Sequence, residues 1–205
     1  MRFLEFQQAL QDFTIFSLAD IHSVDPKFHR RRLNNWQEKG YIRKVIRGYY
    51  IFTDVKMDEF ALFILANKIY DPSYVSFESA LSFYHLIPES VYGITSASTL
   101  VTRAFKTPMA NFKYHSLKPG LFFGYELIDH NGKHGKIACR EKAILDYFYI
   151  HPDLKSSDDF TKLRFNAELF LKEGDRDKLR ALAERMGQKQ LLRRINNFME
   201  YLQNA

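Results

Sequence analysis

The sequence predicts an α+β protein in two units, residues 1–54 and 55–205, and three observations carry that prediction. A capped, strongly basic helix followed by a basic hairpin occupies residues 25–52. Beyond Pro88 the pattern turns strand-like. Helical periodicity then returns at Glu141 and persists through the terminal segments.

The basic stretch organises the first unit. Asp25 followed by Pro26 reads as an N-cap and a residue favoured at the first helical position. Lys39-Gly40 reads as a cation in the last turn and a glycine just past it. Between them Phe28, Leu33 and Trp36 fall on one half of the helical wheel, facing a small core. Lys27, Arg30, Arg31 and Asn34 recur at i, i+3, i+4 and i+7 as an outward stripe. Arg32 and His29 project toward the flanks of the buried face. Two short strands are expected at 41–46 and 49–52, joined at Arg47-Gly48, with Arg43, Lys44 and Arg47 near the turn.

Upstream, Phe3, Leu4, Phe6 and Leu10 give a first helix its buried face. Phe13 to Phe16 suits a small strand, Ser17 can cap a brief helix at 18–21, and 22–24 turn into the basic helix. Helix, short helix, turn, helix and hairpin make the layout of a winged helix-turn-helix. In such proteins the later helix enters the major groove and its first half meets base edges. Arginine can fork to guanine and asparagine to adenine, so Lys27, Arg30, Arg31 and Asn34 are the expected base readers, flanked by Arg32. Arg43, Lys44 and Arg47 are expected on phosphates or in the minor groove, where they position without specifying sequence.

Charge supports this. The chain carries +6 overall, yet 26–47 holds eight cations against one acid, Glu38, so the remainder is close to neutral. A concentrated basic patch on a balanced protein points to a polyanion-binding surface. With 46% hydrophobic residues in 205, the chain can bury real cores. Cys139 is the only cysteine, which excludes an intrachain disulfide and a cysteine-rich zinc site. No stretch approaches the ~20 apolar residues of a membrane span. The N-terminus reads as an amphipathic helix rather than a signal peptide, so a cytoplasmic protein without a membrane partner is expected.

In the second unit, 58–70 is apolar on most sides and suits a helix buried between layers, broken by Asp71-Pro72-Ser73. Ser76 is placed to cap a helix over 77–84. Strands are expected at 93–95, 99–102, 112–116, 122–128 and 136–139, with Asn131-Gly132 as a two-residue hairpin turn. Helices follow at 141–150 and to the end. Leu179, Leu182, Ala183 and Met186 form one buried stripe, and Leu191, Ile195, Phe198 and Leu202 the next.

Several separated segments together resemble a known family. Gly40-Tyr41-Ile42 with Arg47-Gly48-Tyr49-Tyr50 is similar to the end of the winged domain in AbiEi-type proteins, the antitoxins and repressors of type IV abortive-infection toxin–antitoxin systems. Tyr74 to Leu81, Ile87-Pro88-Glu89, Thr95 and Arg103-Ala104-Phe105 continue in that family's order. Ile137 to Asp146 resembles its motif I-A-x-x-E-K-A-L-L-D. His85 stands where the family pattern has glycine, and Arg140 where it has proline. The resemblance covers residues 25 to about 150. It implies a repressor binding double-stranded DNA at inverted repeats in its own promoter, which places more than one copy on the site. It also implies an antitoxin that counteracts a nucleotidyltransferase toxin without a stable complex. No cofactor and no catalytic residue are implied; the alternatives are a stand-alone DNA-binding regulator without a toxin and a DNA- or RNA-directed nuclease targeted by the winged unit.

Other chemistries find less support. His130 and His134 stand four apart, but the intervening Asn131-Gly132 calls for a hairpin, whereas a zinc pair at that spacing needs a helix. On a hairpin Asp129 would instead face His134. Glu141, Lys142 and Asp146 invite a nuclease reading, yet such chemistry needs several carboxylates converging on a metal. An acid at a helix start already complements the helix dipole. Ser76, Ser79 and Ser82 lack a nucleophile elbow. A second basic region, Arg176, Lys178, Arg180, Arg185, Lys189, Arg193 and Arg194, is interleaved with Asp175, Asp177, Glu184 and Glu200. It suits a DNA-backbone extension, an RNA contact or a solvated face.

Overall fold

A computed structural model describes residues 2–88, 93–130 and 132–204. Glu89, in the resembling segment, and Asn131, of the hairpin pair, lie outside the described residues. The architecture is mixed α+β, with a three-stranded and a six-stranded sheet.

Helix α1 (Phe3–Ala9) packs Phe6 and Leu10 into the interior. Leu4, expected on that face, is 71% exposed. At 100° per residue it lies about 200° from Phe6, on the opposite side of the helix. Strand β1 (Phe16–Ser17) leads directly into α2 (Leu18–Val24). The Ser17 hydroxyl accepts from the Asp20 N–H at 3.2 Å, and the Asp20 carboxylate accepts from the Ser17 N–H at 2.7 Å. This reciprocal cap uses Asp where Glu or Gln is commoner. It starts a helix that runs three residues past the expected end.

The basic helix is shorter than its sequence suggests. Helix α3 spans Arg31–Glu38, and Asp25-Pro26 does not begin it. Asp25 instead caps the end of α2, its N–H donating to the Ile21 carbonyl at 2.8 Å. The Asp25 carbonyl accepts from the Phe28 N–H at 3.0 Å, and its carboxylate accepts from the Lys27 N–H at 3.2 Å. Asp at the first position of a turn and Pro at the second is as good a turn signature as a helix start. The longer α2 decides between them. Lys27 therefore lies off the helix, and the four-residue stripe is broken. Phe28 still reaches the core, from the turn rather than from a helix.

The end of α3 is as expected. Gly40 has φ +70°, its N–H donates to the Gln37 carbonyl, and the Tyr41 N–H donates to the Trp36 carbonyl at 2.9 Å. Those two bonds are the Schellman closure, which needs the left-handed backbone glycine adopts without strain. Strands β2 (Ile42–Ile46) and β3 (Tyr49–Phe52) then pair antiparallel, and β1 joins the other side of β3, in the order β1-β3-β2. A bulge between Lys44 and Ile46 breaks the two-residue period. Ile42 and Val45 are buried, and the adjacent Arg43 and Lys44 are both exposed.

The hairpin is apolar on both faces because it serves two cores. Ile42, Tyr50 and Phe52 join a small aromatic cluster, whereas Val45 and Ile51 join the large one. Phe6 links the small cluster, with ring centroids 4.5 Å from Trp36, 5.5 Å from Phe16 and 5.7 Å from both Phe28 and Phe52.

The rest of the chain builds the larger sheet. Asp58 caps α4 (Glu59–Ile69), buried on most sides as expected. After it come β4 (Ser73–Val75), α5 (Phe77–Phe83), β5 (Ile94–Ser98), β6 (Arg103–Lys106), β7 (Asn111–Ser116), β8 (Tyr125–His130) and β9 (Lys133–Ala138). Their order is β6-β7-β5-β4-β9-β8, with β4–β9 and β5–β7 parallel and the other pairs antiparallel. Residues 99–102, expected as a strand, form the turn before β6. The Ser98 hydroxyl accepts from the Leu100 N–H at 3.1 Å and bends the chain there, against the β-branched composition of Val101 and Thr102. Helices α6 (Arg140–Ile150), α7 (Ser157–Lys162), α8 (Ala167–Glu173), α9 (Arg176–Arg185) and α10 (Lys189–Asn204) complete the fold. Both apolar stripes on α9 and α10 are packed, with Leu182 the least buried. Among the described residues no helix is long and apolar enough to cross a membrane.

Trp36 is the only tryptophan, so its fluorescence reports the small cluster. Phe6→Ala is expected to cost about 3–5 kcal/mol. The check is an earlier urea midpoint followed at Trp36.

Candidate nucleic-acid interface and a buried ion cluster

Every cation expected to touch nucleic acid is exposed except Arg32. Arg31 and Asn34 lie on α3. Lys27 is in the preceding turn, and Arg30 is the N-cap, already in helical conformation at φ −49° and ψ −30°. Arg43 and Lys44 lie on β2 and Arg47 in the turn after it. Arg32 is half-buried, its guanidinium 5.1 Å from the Trp36 ring centroid and 5.8 Å from that of Phe28. Its charge is spent on the aromatic core. Two exposed α3 residues that the sequence reading did not single out as readers, Asn35 and Glu38, stand beside Arg31 and Asn34.

The second basic region divides. Lys178 pairs with Glu141 at 2.9 Å, and the Arg185 guanidinium sits 4.0 Å from the Phe123 ring centroid. Arg194 donates to the His151 carbonyl at 2.8 Å. Those three hold the fold. Arg176 and Arg180 share a cleft of about 510 Å³ with Asp175, Asp177 and Glu200. Lys155, Arg193 and Arg194 line another of about 490 Å³ with Gln190 and Asn197.

Helix α6 carries the feature that sequence reasoning missed. Lys142 and Asp146, one turn apart, are both fully buried and form an ion pair. Tyr74, from central strand β4, donates its hydroxyl to Asp146 at 2.8 Å and accepts from the Lys142 ammonium at 2.9 Å. The Ser76 hydroxyl donates to the same Asp146 oxygen at 2.8 Å. Burial pushes the Asp146 carboxyl up, against the pull of the Lys142 charge and of the Ser76 and Tyr74 hydroxyls. Burial and the neighbouring Asp146 also drive the Tyr74 phenol up, so it remains a donor. The Lys142 ammonium lies over the Tyr74 and Phe123 rings, at 5.5 and 5.2 Å from their centroids. Gly124, at φ +73°, lets the backbone run along the Lys142 stem, where an added Cβ would meet side-chain carbons at 3.1–3.2 Å.

Ser76 occupies the N-cap position of α5, as expected, but its hydroxyl is committed to Asp146 and does not cap. Thr95, on the neighbouring β5, takes over. Its hydroxyl accepts from the Ser79 N–H at 3.0 Å and donates to the Ser76 carbonyl at 2.8 Å. A strand residue thereby satisfies a helix donor that would otherwise be orphaned.

Glu141 faces the other way from Asp146. Its carboxylate accepts from the Asp175 N–H at 3.0 Å as well as pairing with Lys178. Burial pushes it up, but the Asp175 amide and Lys178 prevail and hold it below the usual carboxylate range. Glu141 and Asp146 thus serve two separate sites rather than one metal centre. On the β8–β9 hairpin, Asp129 pairs with His134 in register, with their side chains 3.2 Å apart. Among the described residues no group of three or more His, Cys, Asp or Glu is placed to hold a metal ion.

Removing one partner of a buried pair strands the other charge. Asp146→Ala is expected to cost about 3–5 kcal/mol, and Lys142→Met with Asp146→Leu less than Asp146→Ala alone. Chemical denaturation of the three proteins checks the order. Glu141, with its native pKa depressed, contributes stability above its unfolded value of 4.5 that is lost as pH falls through the folded value. Glu141→Gln should therefore be less stable by about 1–3 kcal/mol at pH 7, and urea titrations at successively lower pH below 4.5 should show the gap narrowing. No family model matches this chain, and no curated protein matches it either.

Proposed function

We propose that the chain is a sequence-specific DNA-binding repressor of the AbiEi antitoxin type. On this reading residues 1–54 are a winged helix-turn-helix and 55–205 an antitoxin-like unit. The observation that carries it is the run from α2 through the Asp25 turn into α3, closed at Gly40 and followed by the β2–β3 hairpin. That run exposes seven of the eight polar residues named from the sequence: Lys27, Arg30, Arg31, Asn34, Arg43, Lys44 and Arg47. Such an exposed basic helix and hairpin suit a duplex, with α3 in the major groove and the hairpin cations on the backbone.

Two further observations support the family. His85 stands where the family pattern has glycine, and its backbone is left-handed at φ +56°. Its N–H donates to the Ser82 carbonyl at 2.9 Å and the Leu86 N–H to the Leu81 carbonyl at 2.8 Å, the geometry glycine ordinarily supplies after a helix. In the I-A-x-x-E-K-A-L-L-D-like segment, Glu141, Lys142 and Asp146 are each buried and each has a specific partner, so that motif has a structural reason. The same engagement removes them from nuclease chemistry. The protein would bind inverted repeats in its own promoter and counteract a nucleotidyltransferase toxin without stable association. It needs no cofactor for either role.

Footprinting on the protein's own upstream region tests the reading. A protected inverted repeat is expected, with a log–log salt slope near roughly −0.9 per neutralised phosphate. Lys44→Ala should weaken cognate and unrelated duplexes alike and flatten that slope by about one unit. Equal affinity for cognate and random DNA in the unsubstituted protein would overturn it.

A further inference from the structure

The start of α3 at Arg31 changes which side chains share its outer face. Arg31, Asn34, Asn35 and Glu38 recur at i, i+3, i+4 and i+7, and all four are exposed. They lie opposite Leu33 and Trp36, which are buried in the small cluster. The other polar side chains of the helix are engaged elsewhere. Arg32 covers Trp36, and the Gln37 amide donates to the Leu33 carbonyl at 3.2 Å.

We infer that Asn35 and Glu38 join Arg31 and Asn34 as determinants of base choice, and that Lys27 contributes affinity without choice. The inference rests on the DNA-binding reading above and assigns the bases. Each asparagine carries a donor beside an acceptor, the complement of adenine N7 and N6. Arg31 can fork to guanine O6 and N7, and the Glu38 carboxylate accepts from cytosine N4 while repelling phosphate. A helix rises about 1.5 Å per residue, so Arg31 and Asn35 are about 6 Å apart along it. That is close to two base steps of about 3.4 Å. The half-site therefore places a G·C pair within about two base pairs of one or two A·T pairs read through adenine. Lys27, held in the Asp25–Phe28 turn away from this stripe, presents a single flexible charge suited to phosphate.

The test is selection of bound duplexes from a randomised pool with the full chain, followed by titration of Asn35→Ala and Lys27→Ala on the selected and a scrambled duplex. Trp36 fluorescence confirms that each variant is folded. Unsubstituted protein is expected to enrich a half-site with adjacent G·C and A·T positions. Asn35→Ala should lose roughly tenfold or more on the selected duplex, little on the scrambled one, and its preference at one A·T position. Lys27→Ala should weaken both duplexes by the same factor. Equal losses for Asn35→Ala on both duplexes, or a base preference lost with Lys27→Ala, would overturn the assignment. If the unsubstituted protein enriches no sequence, the DNA-reading proposal itself fails and takes this inference with it. That outcome is visible before any variant is made.

Discussion

An ion pair with no access to water ties α6 to the centre of the six-stranded sheet. Lys142 and Asp146 lie on α6, and their partners come from β4 and the residue that follows it. Desolvating two charges costs several kcal/mol each, so the arrangement is tolerable only with every remaining hydrogen-bonding group nearby well placed. That demand spreads outward. Ser76 must point at Asp146, so it cannot cap α5, so Thr95 must lie where it can. The chain before β8 must pass close to the Lys142 stem, so Gly124 has no side chain. Apolar residues at the two α6 positions could fill the volume, but they would not dictate where a tyrosine, a serine and a threonine must stand.

The small cluster and the elements around it are held by different means. The cluster is mostly aromatic, and rings at 4.5–5.7 Å around Phe6 supply both area and preferred orientation. Backbone closure completes it, through the Ser17–Asp20 cap at one helix and the Gly40 motif at another. These devices leave Arg31, Asn34, Asn35, Arg43 and Lys44 of α3 and β2 exposed, whereas Arg32 and Gln37 are engaged within the fold. Apart from Arg32, the cations of 26–47 are exposed, and a concentration of one sign on one segment raises the local potential at that surface.

What the sequence disclosed and what it hid follow from the range of the forces involved. Local signals were legible: Ser17 and Gly40 act where their chemistry placed them, and the apolar stripes of α9 and α10 are buried as their period demanded. Asp25-Pro26 was ambiguous because two local structures share that pair, and only the length of the preceding helix chose between them. Residues 99–102 have strand-forming composition but lie where the chain must cross from β5 to β6, with β7 to be inserted between. The buried cluster was the least legible. Lys and Asp at i and i+4 look like an exposed helix pair, and their burial depends on Tyr74, some seventy residues earlier in the chain. The Arg31–Asn34–Asn35–Glu38 face was hidden for a related reason, since a misplaced helix start assigns Lys27 to it.

The β2–β3 hairpin has a consequence beyond its charges. Tyr50 and Phe52 are anchored in the aromatic cluster under α3, while Val45 and Ile51 are anchored in the core beneath the large sheet. Adjacent residues on one strand thus answer to different bodies of the molecule. A shift of packing in the larger core would pull on one side of the hairpin only, tilting it against α3 like a lever on a fixed fulcrum. The angle between helix and hairpin therefore answers in part to side chains far outside residues 1–54.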